Sequence, residues 1–261
     1  MSRIDRVRAE ATASARSFLR RKTAMFFTFF FPVILVVIFG ALVRTRPGGG
    51  GLFAQPAAYY VPGYLGTVVL FTPLSRVGSE IARHRDGNRF EKLATTPLTR
   101  ADWLLAHTAV NVGVIGVAAA LILALTLLLT GATLPLTPTL LLLVPFVVVA
   151  VVLFCGFGAV LGSLADSQDG VIAASNTIAL PLLFLSDTFV GPELLPSWFL
   201  PAMNLSPLTY FARGVRAVVY PAGVAAADPS ALGIVADYGV PLAALAALFF
   251  AAGAYAIPRT D

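Results

Sequence analysis

Charge is scarce in this sequence. Only 12% of its 261 residues are Asp, Glu, Lys or Arg, against 58% hydrophobic residues. A soluble domain of this size needs more charge to cover its surface, so the composition excludes an ordinary soluble protein and points to a membrane one. Cysteine is nearly missing too: Cys155 stands alone in an apolar stretch, which excludes an internal disulfide. His84 and His107 are the only histidines, and no set of Cys and His has metal-ligand spacing, so no metal is expected. The only lysines, Lys22 and Lys92, do not follow glycine, and a Gly-x-x-x-x-Gly-Lys-Ser/Thr phosphate loop is absent. If ATP is used, another polypeptide binds it. Chain order supplies no nucleophile with a base either, so a non-catalytic protein is expected.

What is present is a series of long apolar runs separated by short basic blocks. The formal charge of +5 could suggest nucleic acid, but this distribution is that of a chain orienting itself in a bilayer, and no nucleic-acid partner is expected. Residues 3–22 carry seven Arg or Lys, with Ile4, Val7, Ala11, Phe18 and Leu19 at roughly helical spacing. They predict an amphipathic interfacial helix, with arginines toward anionic headgroups; a basic tail is the bland alternative. The first apolar run comes after this segment and is long enough to span, so it reads as a retained helix rather than a cleaved signal.

The predicted architecture is all-α: an amino-terminal domain of residues 1–22 and a transmembrane domain of residues 23–261 with six spans. These fall at about 23–43, 57–82, 104–130, 139–164, 171–186 and 238–257, since about 20 apolar residues cross the hydrocarbon core. Glycines 48–51 break the chain after the first span, and Gly131 to Pro138 separates the third from the fourth. Residues 187–230 are apolar but interrupted by Pro196, Pro201, Pro207, Arg213 and Arg216. Each central arginine costs about 2.5–3.5 kcal/mol of insertion, so residues 191–219 read as a re-entrant outer segment, with a seventh span as the alternative. Six spans put 14 of the 18 Lys and Arg on the side of both termini, which places the termini in the cytoplasm.

The polar loop 83–102 has charges for docking in Arg83, Arg85, Arg89 and Glu91, a Gly-Asn break at 87–88, then Phe90 and Leu93 on a short helix. An apolar pair framed by charge suits a knob entering a partner's groove; an ordinary inside-positive loop is equally compatible. Gly158 and Gly162 form a small-xxx-small pattern, read as tight packing within the chain. Ser175-Asn176-Thr177 sets polar groups inside the fifth span, where they line a pathway or bond a neighbouring helix. Arg213 is expected to pair with Glu193 or Asp187, and the phenylalanines between 26 and 31 to face lipid or fill packing space.

The run Glu80-Ile-Ala-Arg-His-Arg-Asp-Gly-Asn-Arg-Phe-Glu-Lys-Leu-Ala-Thr-Thr-Pro-Leu-Thr-Arg100 resembles the pattern of type-2 ABC exporter permeases. In that family a second span ends in charge, followed by Gly, a Glu-x-Leu helix and a Thr-Pro-Leu-Ser/Thr-Arg entry to the third. Leu205-Ser-Pro-Leu-Thr-Tyr-Phe-Ala-Arg-Gly-Val-Arg216 is similar to the family's Asn-Pro-Leu-Thr-Tyr segment, with Ser206 for Asn, and Asn88 stands where Thr is common. The resemblance implies an exporter permease of a prokaryotic cell membrane, a homodimer or heterodimer. Two copies of a separate ATPase would carry ATP and Mg, and this chain would bind no cofactor. It implies ATPase coupling through Glu80, Arg83, Arg89, Phe90, Glu91 and Leu93, and a connecting helix at the amino terminus. Asn176 and Thr177 are candidates for the substrate pathway, and Tyr210, Arg213 and Arg216 for the outer re-entrant segment. An ion-gradient-driven secondary transporter or a membrane assembly factor is the alternative. Such transporters place ionisable residues at the bilayer midplane, and the middle of each predicted span has none.

Overall fold

In the computed structural model, which describes residues 2–42, 55–192, 195–221 and 230–258, the chain is helical throughout and forms no strand among those residues. Glu193 and the glycine run 48–51 lie outside the described residues, so the expectations placed on them are not addressed.

Helix α1 (Arg3–Arg20) starts at a capping box, in which Ser2 and Asp5 exchange hydrogen bonds with each other's backbone. Helix α2 (Lys22–Leu35) follows after a single-residue elbow at Arg21 and continues as a π-helical turn over Val36–Leu42. A 3-10 turn at Ala57–Tyr60 leads into α3 (Val61–Asp86), and α4 (Arg89–Ala94) is a six-residue helix beyond it. Asn88 takes φ +49 between them, a left-handed conformation that Asn tolerates better than most residues. The break expected at 87–88 thus turns on the asparagine; Gly87 keeps a negative φ. Helix α5 (Arg100–Thr130) begins at a second capping box, Thr99 with Asp102, and ends on Gly131 at φ +65. Then come α6 (Leu143–Leu164), preceded by a 3-10 turn at Pro138–Leu142, and α7 (Gln168–Phe184). The short α8 (Leu200–Met203) and α9 (Pro207–Val219) precede α10 (Ala231–Ile234), a π-helical turn at Val235–Gly239, and α11 (Val240–Ala256).

Among the described residues, four helices are long and apolar enough to cross a membrane: Lys22–Phe39, Arg100–Thr130, Pro138–Leu164 and Ala231–Ala256. They coincide with the first, third, fourth and last expected spans. The other two have different reasons for falling short. Helix α3 is long enough at 26 residues, but it carries Arg76, Glu80 and Arg83 within its polar half. Helix α7 has 17 residues, about 25 Å at 1.5 Å per residue, which is short of the roughly 30 Å hydrocarbon core. At 13 residues α9 reaches only about 20 Å, also short of that core.

Helix α3 is the axis of the bundle, packed by α5, α6, α7 and α9. Its approach to α6 is close enough for backbone contact. A Cβ on Gly158 would lie 2.5 Å from the Leu74 carbonyl oxygen, and one on Gly78 would lie 2.9 Å from that of Gly158. On its far side α6 meets α11 the same way, Gly253 facing the Gly156 carbonyl oxygen. The glycine pattern of α6 therefore serves packing within the chain. The contacts between helices define two ends of the molecule. One gathers α1, α4, the end of α3 and the start of α5; α9 packs across the other, against the starts of α3, α6 and α11.

Candidate functional site

The charge-rich end is built around the last two turns of α3. His84 stands one turn beyond Glu80 and donates its Nδ1 proton to the Glu80 carbonyl oxygen at 2.8 Å. Its ring lies 5.4 Å from Phe90 of α4 and 5.5 Å from Trp103 of α5, and Trp103 stacks on His107 at 3.9 Å. Phe90, only 4% exposed, is wedged between His84 and Trp103. This differs from the expectation of an outward knob. On a six-residue helix one face must be held by the body, and the aromatic residue supplies that hold. Leu93, one turn on, is half-buried and packs on the same core. The residues that α4 offers outward are Arg89, Glu91 and Lys92.

Glu80 and Arg83 form an ion pair one turn apart, and the Arg21 guanidinium reaches the same carboxylate at 3.5 Å. Helix α1 is clipped alongside. Arg3 donates Nε to Asp102 at 2.6 Å, and Arg6 lies 3.6 Å from that fully buried carboxylate. Glu10 and Ser14 both reach the His107 ring, at 3.3 Å each. Arg85 donates to the Ala165 carbonyl oxygen before α7, and Arg100 to that of Tyr255 at the end of α11, each at 2.6 Å. Direct bonds thus tie the end of α3 to the residues before α7, and the start of α5 to α1 and to the end of α11. The hydrogen bond to His107 holds the Glu10 carboxyl below its ordinary value, burial notwithstanding. Burial, reinforced by His107 and Arg89, pushes the His84 imidazole down to about 4, so it is neutral at pH 7.

Sequence reasoning singled out Glu80, Arg83, Arg89, Phe90, Glu91 and Leu93, and the structure brings all six into this one region. It missed Glu10, His84, Asp102, Trp103 and His107, the groups that fix the loop in place. One signal was legible: Thr99 followed three residues later by Asp102 is a capping-box pattern.

On α7, Ser175 is buried while Asn176 and Thr177 are exposed. Thr177 returns its hydroxyl to the Ala173 carbonyl oxygen at 2.9 Å. Asn176 and Thr177 thus share an uncovered face of this chain.

At the opposite end, Arg213 pairs with Asp187 at 3.1 Å and donates to Asn204 Oδ1 at 2.9 Å, while the Tyr210 hydroxyl donates to the Asn204 carbonyl oxygen. Arg216 is buried, 3.1 Å from the other Asp187 oxygen, with its guanidinium 4.1 Å over the Tyr59 ring. Asp187 itself adopts φ +57. These side chains lock the turn after α7 onto α9, the structural pairing expected of Arg213. Among the described residues no group of His, Cys, Asp and Glu is arranged to hold a metal ion.

The family model described as ABC-2 type transporter matches residues 6–220 of this chain. The daunorubicin resistance ABC transporter permease protein DrrB1 of Streptomyces coeruleorubidus is 32% identical over 62 residues, 24% of this chain. That match spans 22% of the relative's own length, so it is a local likeness.

Proposed function

This chain belongs to the ABC-2 type transporter family, and from that premise we propose that it is the permease subunit of an ATP-driven exporter, docked to a separate ATPase through α4. The observation that carries this is the construction of α4: a short helix anchored inward by Phe90, presenting Arg89, Glu91 and Lys92 outward, and bonded onward to the rest of the bundle. An exposed charged face on a rigid base suits a soluble partner, whose movement would reach the helices through Glu80, Arg83, Arg85 and Arg100. The partner ATPase supplies nucleotide, Mg and the phosphoryl-transfer chemistry.

The functional unit in this proposal is two permease copies, or two related permeases, with two ATPase subunits, and each permease has six spans. Helices α3 and α7 complete the six. The charges of α3 are shielded by α1 and α5, and α7 is extended by residues on either side. Both termini lie in the cytoplasm of a prokaryotic cell membrane, because the basic end gathers α1, α4 and the start of α5. Residues 191–219 form the re-entrant outer segment, with Tyr210, Arg213 and Arg216 holding its shape. The polar face of α7 at Asn176 and Thr177 is costly against lipid, and facing a second copy across the substrate pathway removes that cost. The relative's name, a daunorubicin resistance permease, supports an amphipathic aromatic small molecule as the class of cargo.

Co-expression with a candidate ABC ATPase, such as one from an adjacent reading frame, tests the proposal. Glu91→Lys combined with Lys92→Glu should leave the permease folded and abolish co-purification of the ATPase. Undiminished co-purification and transport with that charge-swapped α4 would remove the basis for placing the contact there.

A further inference from the structure

The elbow between α1 and α2 carries cations that the docking proposal does not use. Arg16, Arg20 and Arg21 line one open groove of about 480 Å³. A chamber of about 40 Å³ adjoins it, sharing Ser17 and Arg21, and its inner wall is formed by Phe18, Arg76 and Glu80. Arg76 projects from α3 within the apolar bundle; its guanidinium sits 4.2 Å over the Phe18 ring and 3.4 Å from Asn111 Oδ1. No carboxylate lies within ion-pair distance of Arg16, Arg20 or Arg76 among the described residues; the acid of the chamber, Glu80, is already shared by Arg21 and Arg83. Four guanidinium groups around one shared carboxylate leave an excess of positive charge at the border of the hydrocarbon, a place where uncompensated cations are costly.

Phosphate answers that excess, because guanidinium forks bind its oxygens two at a time. The next element says which molecule carries the phosphate. Helix α2 starts at the elbow, and within about two and a half turns it exposes the rings of Phe26, Phe27 and Phe30, the first and third stacked at 4.3 Å. Cations for a head and an apolar track for a tail, adjacent in the chain, fit an amphiphile; a free phosphate ion would need the cations alone. We propose that the elbow between α1 and α2 binds the phosphate of an anionic phospholipid through Arg16, Arg20, Arg21 and Arg76, with the acyl chains lying along α2. A lipid held there braces the two helices at their one-residue joint, independently of any ATPase.

The purified full chain in detergent, titrated with phosphatidylglycerol or phosphatidylcholine and read by native mass spectrometry, tests this. Phosphatidylglycerol should be retained selectively. Arg20→Gln, at an exposed position, should weaken it about fivefold, and Arg16→Gln with Arg20→Gln about 25-fold, while Arg8→Gln outside the groove changes it little. Arg76→Lys keeps the charge but loses the fork and should also weaken it. Equal retention of the two lipids, an Arg8→Gln effect as large as that of Arg20→Gln, or displacement of the lipid by millimolar inorganic phosphate would each overturn the assignment. Unfolding midpoints of the variants without lipid separate loss of binding from loss of fold, and Arg20→Gln alone suffices if the others do not fold.

Discussion

Gly158→Ala adds one methyl group to an apolar helix, yet it should loosen the bundle. The new Cβ would meet the Leu74 carbonyl oxygen at 2.5 Å and the Pro73 carbonyl oxygen at 3.0 Å. Both are backbone atoms of α3, so no change of rotamer relieves them. Restoring ordinary contact at 3.4 Å requires α6 to withdraw by about 1 Å, and a gap of that size forfeits roughly a quarter to a half of the dispersion attraction per atom pair. Summed over the two turns around Leu74 and Gly78, the loss is about 2–3 kcal/mol, the upper part of the range for overpacked cores. Gly113→Ala on α5 is the control, since nothing lies within 4 Å of its Cβ and alanine gains about 0.8–1 kcal/mol of helix propensity. Thermal unfolding of the purified protein, followed by tryptophan fluorescence, should place Gly158→Ala about 5–10 °C below the parent and Gly113→Ala at or slightly above it. Equal midpoints for parent and Gly158→Ala would refute backbone contact between α3 and α6.

Phe90→Ala should cost about 2–3 kcal/mol, less than a deep-core Phe because α4 can settle over the gap; its midpoint should fall, whereas the Glu91 and Lys92 swap leaves it unchanged. Stability should also decline as pH falls. The folded state holds His84 at about 4 while the unfolded chain binds a proton near 6.5, so stability present above 6.5 is lost on the way to 4, by up to about 3 kcal/mol. Glu80, Glu10, Arg21, Arg89 and His107 surround that ring, and Glu10 pulls in the same direction at lower pH. Midpoints measured from pH 7.5 to 4.5 should fall less steeply in His84→Gln. At the other end, Asp187→Asn should cost about 3–5 kcal/mol, because it leaves Arg216 buried beside a neutral amide. Asp102→Asn should release α1 from α5, seen as faster trypsin cleavage after Arg16 or Arg20, since Arg3 and Arg6 both rely on that carboxylate.

The membrane character of the chain, its long apolar helices and the polar loop between the second and third were all legible in the sequence, because solvent preference is a local property of each segment. So was the packing role of the α6 glycines. Three things were decided only by tertiary structure. Phe90 has the composition of a docking knob, and only the positions of His84 and Trp103 turn it inward. Arg76 lies within the second expected span, and only the fold of α1 brings the Phe18 ring against its guanidinium. Asp187 and Arg216 are 29 residues apart in the chain, and neither sequence position announces a buried ion pair. Hydrophobicity fixes where a helix can reside, whereas the direction in which each side chain points depends on neighbours brought from distant parts of the chain.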